Sequence, residues 1–326
     1  MNISPLDQGR IIDLVNLWNK EIGKQFPMRE ELFKQNSLDD NNVHASGSGI
    51  ALNESDEVIG FVISKRWQED LEVEMNTETG WIQVLLVDSE YRGKGIGSAL
   101  LKKAETALKA DGAVKITLGS DPWHYFPGLP SGFDKTIRWF EKRGYKHNIQ
   151  VYDLISHYED EVESSMPDKE DIEFMMLKMD EKEAFIDFMH RTFPGRWEYE
   201  AIQYFKKGGT GREFVVLKSK GEILGFCRVN DIHSPFIAQN VYWSPLFNTP
   251  LGGLGPLGVD SSIRGKGYGL AIVEAGVHFL RNRGIHSIVI DWTVYIEFYG
   301  KLGYEPWQKY EAYSKEIQIE MNRVEN

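Results

Sequence analysis

Cysteine is almost absent: among 326 residues there is only Cys227. A lone cysteine excludes an intramolecular disulfide and any cysteine-based zinc cluster, so no metal is expected, and it suits a reducing compartment. Long apolar runs are missing as well. The first segment, MNISPLDQGRIIDLVNLW, scatters Asp7, Arg10 and Asp13 among its apolar residues. No stretch reaches signal-peptide or membrane-spanning length, and cytoplasmic residence away from any membrane is the expectation. Positive charge is short relative to negative, leaving a formal net charge of -12. That balance works against phosphate-dominated nucleic-acid binding and favours cationic small molecules as partners. Gly/Ser-rich and Gln/Asn-rich tracts are lacking too, which excludes wholesale disorder.

What is present repeats. A chain of this length exceeds one ordinary core, and 41% hydrophobic residues supply apolar material for two. Three landmarks recur in order: Phe26-Pro27 as Phe193-Pro194, VDSEYRGKGIG from Val87 as VDSSIRGKGYG from Val259, and RWFEKRGY ending at Tyr145 as EFYGKLGY ending at Tyr304. The separation narrows between the second and third landmarks, which points to an insertion in the first copy. DPWHYFPGLPSGF, residues 121–133, is the candidate. Between the copies, SHYEDEVESSMPDKED is acidic, poor in apolar residues and interrupted by Pro167. The expected division is a first domain over 1–160, an acidic linker over 161–170 and a second domain over 171–326.

Each copy opens with a helical pattern, Ile11 to Trp18 in the first and Phe185 to Met189 in the second. Short runs rich in β-branched residues follow and predict strands at Val58 to Ile63, Trp81 to Val87 and Val114 to Leu118. In the second copy they fall at Phe214 to Leu217, Ile223 to Val229, Leu257 to Val259 and Ser287 to Ile290. A helix between the last two strands, Ser98 to Ala110 or Leu270 to Arg283, is stopped by Asp111-Gly112 or by Gly284. The sum is a mixed α/β sheet with helices on its faces.

After its strand, each copy places a glycine turn at a helix start: Arg92-Gly93-Lys94-Gly95-Ile96-Gly97 and Arg264-Gly265-Lys266-Gly267-Tyr268-Gly269. Such a turn is an anion site, because glycines admit the positive φ that aligns backbone N–H groups and the helix dipole adds partial positive charge. The spacing matches neither a Walker loop nor a dinucleotide fingerprint. With the strand ending V-D before it and [FY]-x-K-x-G-[YF] beyond the next strand, the pattern resembles the GNAT acetyltransferase superfamily, twice over nearly the whole chain.

The resemblance implies two tandem domains of six or seven mixed strands and four helices, splayed between the fourth and fifth strands to admit acetyl-coenzyme A. It implies that the glycine loops hold the pyrophosphate. The strands before them, Leu85, Leu86 and Val87 or Leu257, Gly258 and Val259, would bind pantetheine and polarise the acetyl carbonyl through backbone N–H groups. It also implies a tyrosine as general acid after the fifth strand, a place held by Tyr299 in the second copy and by Phe140 in the first. The second copy is therefore the expected catalyst. For a base, Asp291 ends the strand 287–290; Glu297 and a water chain are alternatives.

The first copy's insert, with Trp123, His124, Tyr125 and Phe126, reads either as an aromatic acceptor wall or as a packed covering loop. The implied activity is N-acetyl transfer from acetyl-coenzyme A to a primary amine of a small molecule or amino sugar. A non-catalytic acyl-coenzyme A sensor, or acyl transfer to a peptide or aminoacyl acceptor, stays open.

Overall fold

The structure is a computed structural model that describes residues 2–159 and 164–317. In chain order its elements are β1 (Asn2–Ser4), α1 (Ile11–Ile22), α2 (Glu30–Phe33), β2 (Gly49–Leu52), β3 (Val58–Arg66), β4 (Thr79–Val87), α3 (Ile96–Ala110), β5 (Lys115–Leu118), β6 (Leu129–Pro130) and α4 (Asp134–Glu141). Then come β7 (Lys146–His157), β8 (Glu173–Met176), α5 (Lys182–Thr192), α6 (Arg196–Lys206), β9 (Phe214–Ser219), β10 (Glu222–Asn230), β11 (Leu251–Val259), α7 (Tyr268–Arg281), β12 (Ser287–Thr293), α8 (Ile296–Gly300) and β13 (Glu305–Glu316). The helices after the glycine turns begin two residues earlier than the apolar spacing predicts, because Gly95 and Gly267 in the left-handed region already cap them.

Two compact units result, and neither is a continuous stretch of chain. The first contains residues up to Asp70, Asn76–Val151 and the chain from Tyr310; the second contains Leu71–Met75 and Tyr152–Lys309. A cut near residue 160 therefore does not describe the packing. The last strand of each sequence copy serves the other unit: Ser314–Glu316 of β13 pairs antiparallel with β5, and residues 152–157 of β7 pair antiparallel with β12. The expected linker lies partly outside the described residues, at 161–163.

Within the first unit the strand order is β1-β2-β3-β4-β5-β13, and within the second it is β8-β9-β10-β11-β12-β7. Each unit has one parallel pair, β4 with β5 and β11 with β12. The right-handed crossover expected of such a pair is supplied by α3 or α7. Apolar spacing along α3 puts Leu100, Ala104 and Leu108 on one face, buried with Val62, Ile82 and Ile116. On α7, Ile272, Val273 and Leu280 pack with Cys227, Val229, Leu254 and Ile290. Both cores bring the glycine turn to the C-terminal end of its parallel strand.

Candidate active site

The two glycine turns share one backbone shape. Gly93 and Gly95 have φ of 78° and 84°, and Gly265 and Gly267 have 80° and 81°. A Cβ on any of the four would meet nothing within 4 Å. Positive φ rather than crowding is what demands glycine here, and it leaves the backbone N–H groups at the helix start accessible to an anion. Aspartate fixes both turns: Asp88 accepts from the Glu90 N–H at 3.0 Å and Asp260 from the Ser262 N–H at 2.9 Å. Arginine ties each turn back to its strand, with Arg92 Nε donating to the Val87 carbonyl at 3.0 Å and Arg264 Nε to Val259 at 3.2 Å.

Charge separates them. The Arg92 guanidinium is paired with Glu21, which also accepts from the Ser89 N–H. Arg264 has no carboxylate partner among the described residues. The second turn is the more positive at its mouth.

Beside each turn the parallel strands part. β4 pairs with β5 only through Thr79–Ile82, and β11 with β12 only through Leu251–Leu254. The residues that follow keep their antiparallel neighbour alone. The Asp88 N–H donates to Ile59 and the Asp260 N–H to Leu224, which sets the phase of each antiparallel ladder. By alternation Leu86 and Gly258 turn their N–H groups toward β3 or β10. Leu85, Val87, Leu257 and Val259 turn theirs toward the gap. Of the three residues nominated on each strand, two therefore present a donor to the splay.

In the second unit the gap is furnished with titratable groups. β12 carries a bulge: Ile290 pairs with Leu154 but Thr293 with Tyr152, so Asp291 and Trp292 stand out of register. Trp292 adopts φ 44°, and its N–H is held by Asp153 Oδ1 at 3.0 Å. A bulky residue in that region is a strained arrangement that aims its neighbour.

That neighbour, Asp291, is partly buried and accepts from Asn240 Nδ2 at 3.1 Å. A Cβ on Gly255, the bulge of β11, would lie 3.7 Å from its Oδ1. Burial, aided by Glu200, pushes the Asp291 carboxyl up to about 6, against the opposing pull of Arg196 and Asn240. Tyr299, on α8, is buried edge-on to Phe298 and Tyr304. Burial, then Cys227 and Asp291, raises its hydroxyl above the ordinary phenol range and keeps it protonated. Glu297 is exposed on the same short helix.

The profile of the acetyltransferase (GNAT) family matches residues 11–126 and 182–304. The chain belongs to that family. It carries the GNAT match twice, once in each sequence copy. A tandem GNAT protein from the clavulanic acid biosynthesis pathway superposes with a TM-score of 0.67 at 14% identity, covering 97% of this chain and 98% of that one. A glucosamine N-acetyltransferase region of a fungal multi-domain β-N-acetylglucosaminidase gives 0.85 at 24% identity over 96% of this chain. Both likenesses show the fold. The mycothiol acetyltransferase of Nocardia farcinica is 27% identical over 108 residues, 30% of this chain. The chain spans only 36% of that relative and 38% of the fungal one.

Aligned by register, the first GNAT copy departs from the second at both titratable positions. Ile82 pairs with Leu118 as Leu254 pairs with Ile290, so Gly119 stands where Asp291 does. A Cβ on Gly119 would fall 2.2 Å from the Phe126 carbonyl oxygen. The insert fills that space. Trp123, His124, Tyr125 and Phe126 are all buried, with Tyr125 Oη 2.6 Å from Ser37 Oγ and His124 Nδ1 2.9 Å from the Asp121 carbonyl. Lys65 is wholly buried between Asp40 and Asp121, at 2.7 Å from each. The insert is a packed loop, and an aromatic acceptor wall is not what it forms.

Sequence reasoning missed Asn240, Glu200 and Arg228. Asn240 joins Asp291 to the Gly255 carbonyl, 3.3 Å away. Arg228 had a signal, being the one charged side chain inside the apolar strand ILGFCRV. Asn240 and Glu200 had none, since their role depends on contacts distant in sequence.

Proposed function

We propose that this GNAT protein moves the acetyl group of acetyl-coenzyme A to a primary amine of a small molecule or amino sugar, and that the second unit performs the reaction. The observation that carries this reading is the Asp291 carboxyl, raised to about 6 and standing beside Gly255 where β11 leaves β12. A base poised just below neutrality is ionised at pH 7 and still able to accept a proton.

Acetyl-coenzyme A supplies the acyl group as a thioester. The turn from Arg264 to Gly269 holds its pyrophosphate, and the Leu257 and Val259 N–H groups bind pantetheine and draw charge onto the acyl oxygen. Asp291 takes the proton that the amine loses as its nitrogen bonds to the acyl carbon. Tyr299 gives a proton to the sulfur as the carbon–sulfur bond breaks. The likenesses to a glucosamine N-acetyltransferase region and to a mycothiol acetyltransferase support a small amine or amino sugar as acceptor.

The first unit keeps its turn, Arg92 to Gly97, with Leu85 and Val87 before it, and lacks both Asp291 and Tyr299 equivalents. It is a coenzyme A-binding element without turnover. Cytoplasmic residence belongs to the same reading, supported by the single, buried Cys227.

Thiol release from acetyl-coenzyme A, measured on a panel of primary amines that includes glucosamine, tests the activity. Tyr299→Phe tests the acid: kcat falls about 100-fold with little change in the KM for the amine. An unchanged kcat removes Tyr299 from the chemistry.

A further inference from the structure

Arg228 is 1% exposed, and its hydrogen-bond donors are not all filled by the protein around it. Its flanking residues Cys227 and Val229 pack with α7, so strand alternation sends Arg228 to the opposite face of the sheet. There its guanidinium lies 4.5 Å from the Phe236 ring centroid and 5.9 Å from that of Tyr204. The nearest carboxylate, Glu200 Oε2, is 3.9 Å from Nη1, and the other Glu200 oxygen accepts from Arg196 Nε at 2.8 Å. Glu213 is committed to Arg212 and to the Tyr204 hydroxyl. Arg228 Nε and Nη2 are buried with no hydrogen-bond partner among the described residues.

A buried guanidinium short of acceptors is costly to keep, because each unpaired donor has given up water for nothing. The same face holds a complementary group. Asp291 accepts from the neutral amide of Asn240 at 3.1 Å, and the Asn240 oxygen accepts at 3.1 Å from Asn230, two residues along β10 from Arg228 and so on the same face. A guanidinium with unfilled donors and a carboxylate held by a neutral amide therefore share one face of the second unit.

We infer that Arg228 binds an oxyanion carried by the amine acceptor, a carboxylate or a phosphate, while Asp291 receives its ammonium end. The inference rests on the acyl-transfer reading of this site and adds the acceptor's charge. An acceptor with both charges satisfies both groups at once. A neutral amine leaves the Nε and Nη2 donors of Arg228 unfilled.

The test compares glucosamine with two anionic amino sugars, glucosamine 6-phosphate and muramic acid, as acceptors for the intact chain. At least one anionic sugar exceeds glucosamine in kcat/KM by about 10-fold or more, and which one does so identifies the anion. Arg228→Met abolishes that preference through KM, yet melts at or above the wild-type temperature, because a well-packed apolar side chain replaces a buried guanidinium with unfilled donors. Equal use of neutral and anionic acceptors overturns the inference. So does a lowered melting temperature in Arg228→Met with the same proportional loss for every acceptor, which marks a structural arginine. Absence of thiol release with every amine overturns the acyl-transfer reading instead. Calorimetry with inorganic phosphate and with acetate, with saturating coenzyme A filling the glycine turns, then decides the anion site alone: heat of binding with wild type and none with Arg228→Met sustains it, and any other pattern sinks it.

Discussion

Replacing Asp291 by Asn lowers kcat/KM for amine acetylation by about 100- to 10,000-fold and removes the acidic limb of the pH–rate profile. The magnitude is that of losing a positioned general base. The sign follows from the direction of the shift. Burial raises the carboxyl to about 6, so below that pH the group is protonated and cannot accept a proton, while above it the carboxylate is available. Wild-type kcat/KM therefore rises through about pH 6.

The same shift predicts the effect on stability. A carboxyl whose folded pKa lies above its unfolded value destabilises the fold once the pH exceeds the unfolded value, because the folded state resists ionisation. The neutral amide of Asn escapes that cost. Asp291→Asn is expected to melt at or above the wild-type temperature at pH 7 while losing activity. A variant that keeps its activity, or that loses it only because it unfolds, contradicts the assignment. Thiol-release rates from pH 5 to 8 beside a thermal melt read both outcomes.

Ending the chain after Lys309 is expected to unfold the first unit, although its own sequence copy closes far earlier. Tyr310 and Tyr313 are 1% and 4% exposed. Tyr313 belongs to the core around α3, and its hydroxyl donates to Glu141 at 2.9 Å. Tyr310 and Glu311 pair with the insert at Pro130 and Leu129, and Lys315 reaches Glu105 at 2.9 Å. Uncovering two buried tyrosines alone costs roughly 5 kcal/mol or more, about the whole stability of a small domain. Removing the strand also bares the edge of β5, a template for aggregation. Proteolysis of residues 1–151 and a calorimetric scan check this. A truncated chain that retains both unfolding transitions of the intact one contradicts it.

That strand shows where reading the sequence stops. KYEAYSKE alternates as a strand should, but alternation fixes which side chains share a face and says nothing of which sheet receives them. The repeat makes the two sheets equivalent acceptors, so a sequential division was the natural expectation. What repeats locally was legible: the glycine turns, the strands before them, the helices after them, and Phe140 against Tyr299. Asp291 was legible as a strand-end carboxylate. Its Asn240 partner and the strained Trp292 behind it were not, since both depend on a bulge and on chain brought from elsewhere. Nothing local in the sequence marks Gly119, whose missing side chain leaves room for the Phe126 carbonyl of a loop that only the fold brings there.

The division of labour between the units is tested most directly by one matched substitution, Gly95→Val against Gly267→Val. The two glycines have nearly the same φ, 84° and 81°, and the same open surroundings, so valine imposes the same backbone strain on either turn. Thiol-release kinetics of the two variants should differ sharply, with kcat/KM about 100-fold down or more for Gly267→Val and within about 3-fold of wild type for Gly95→Val. Equal losses, or a larger loss in Gly95→Val, would contradict a catalytic second unit.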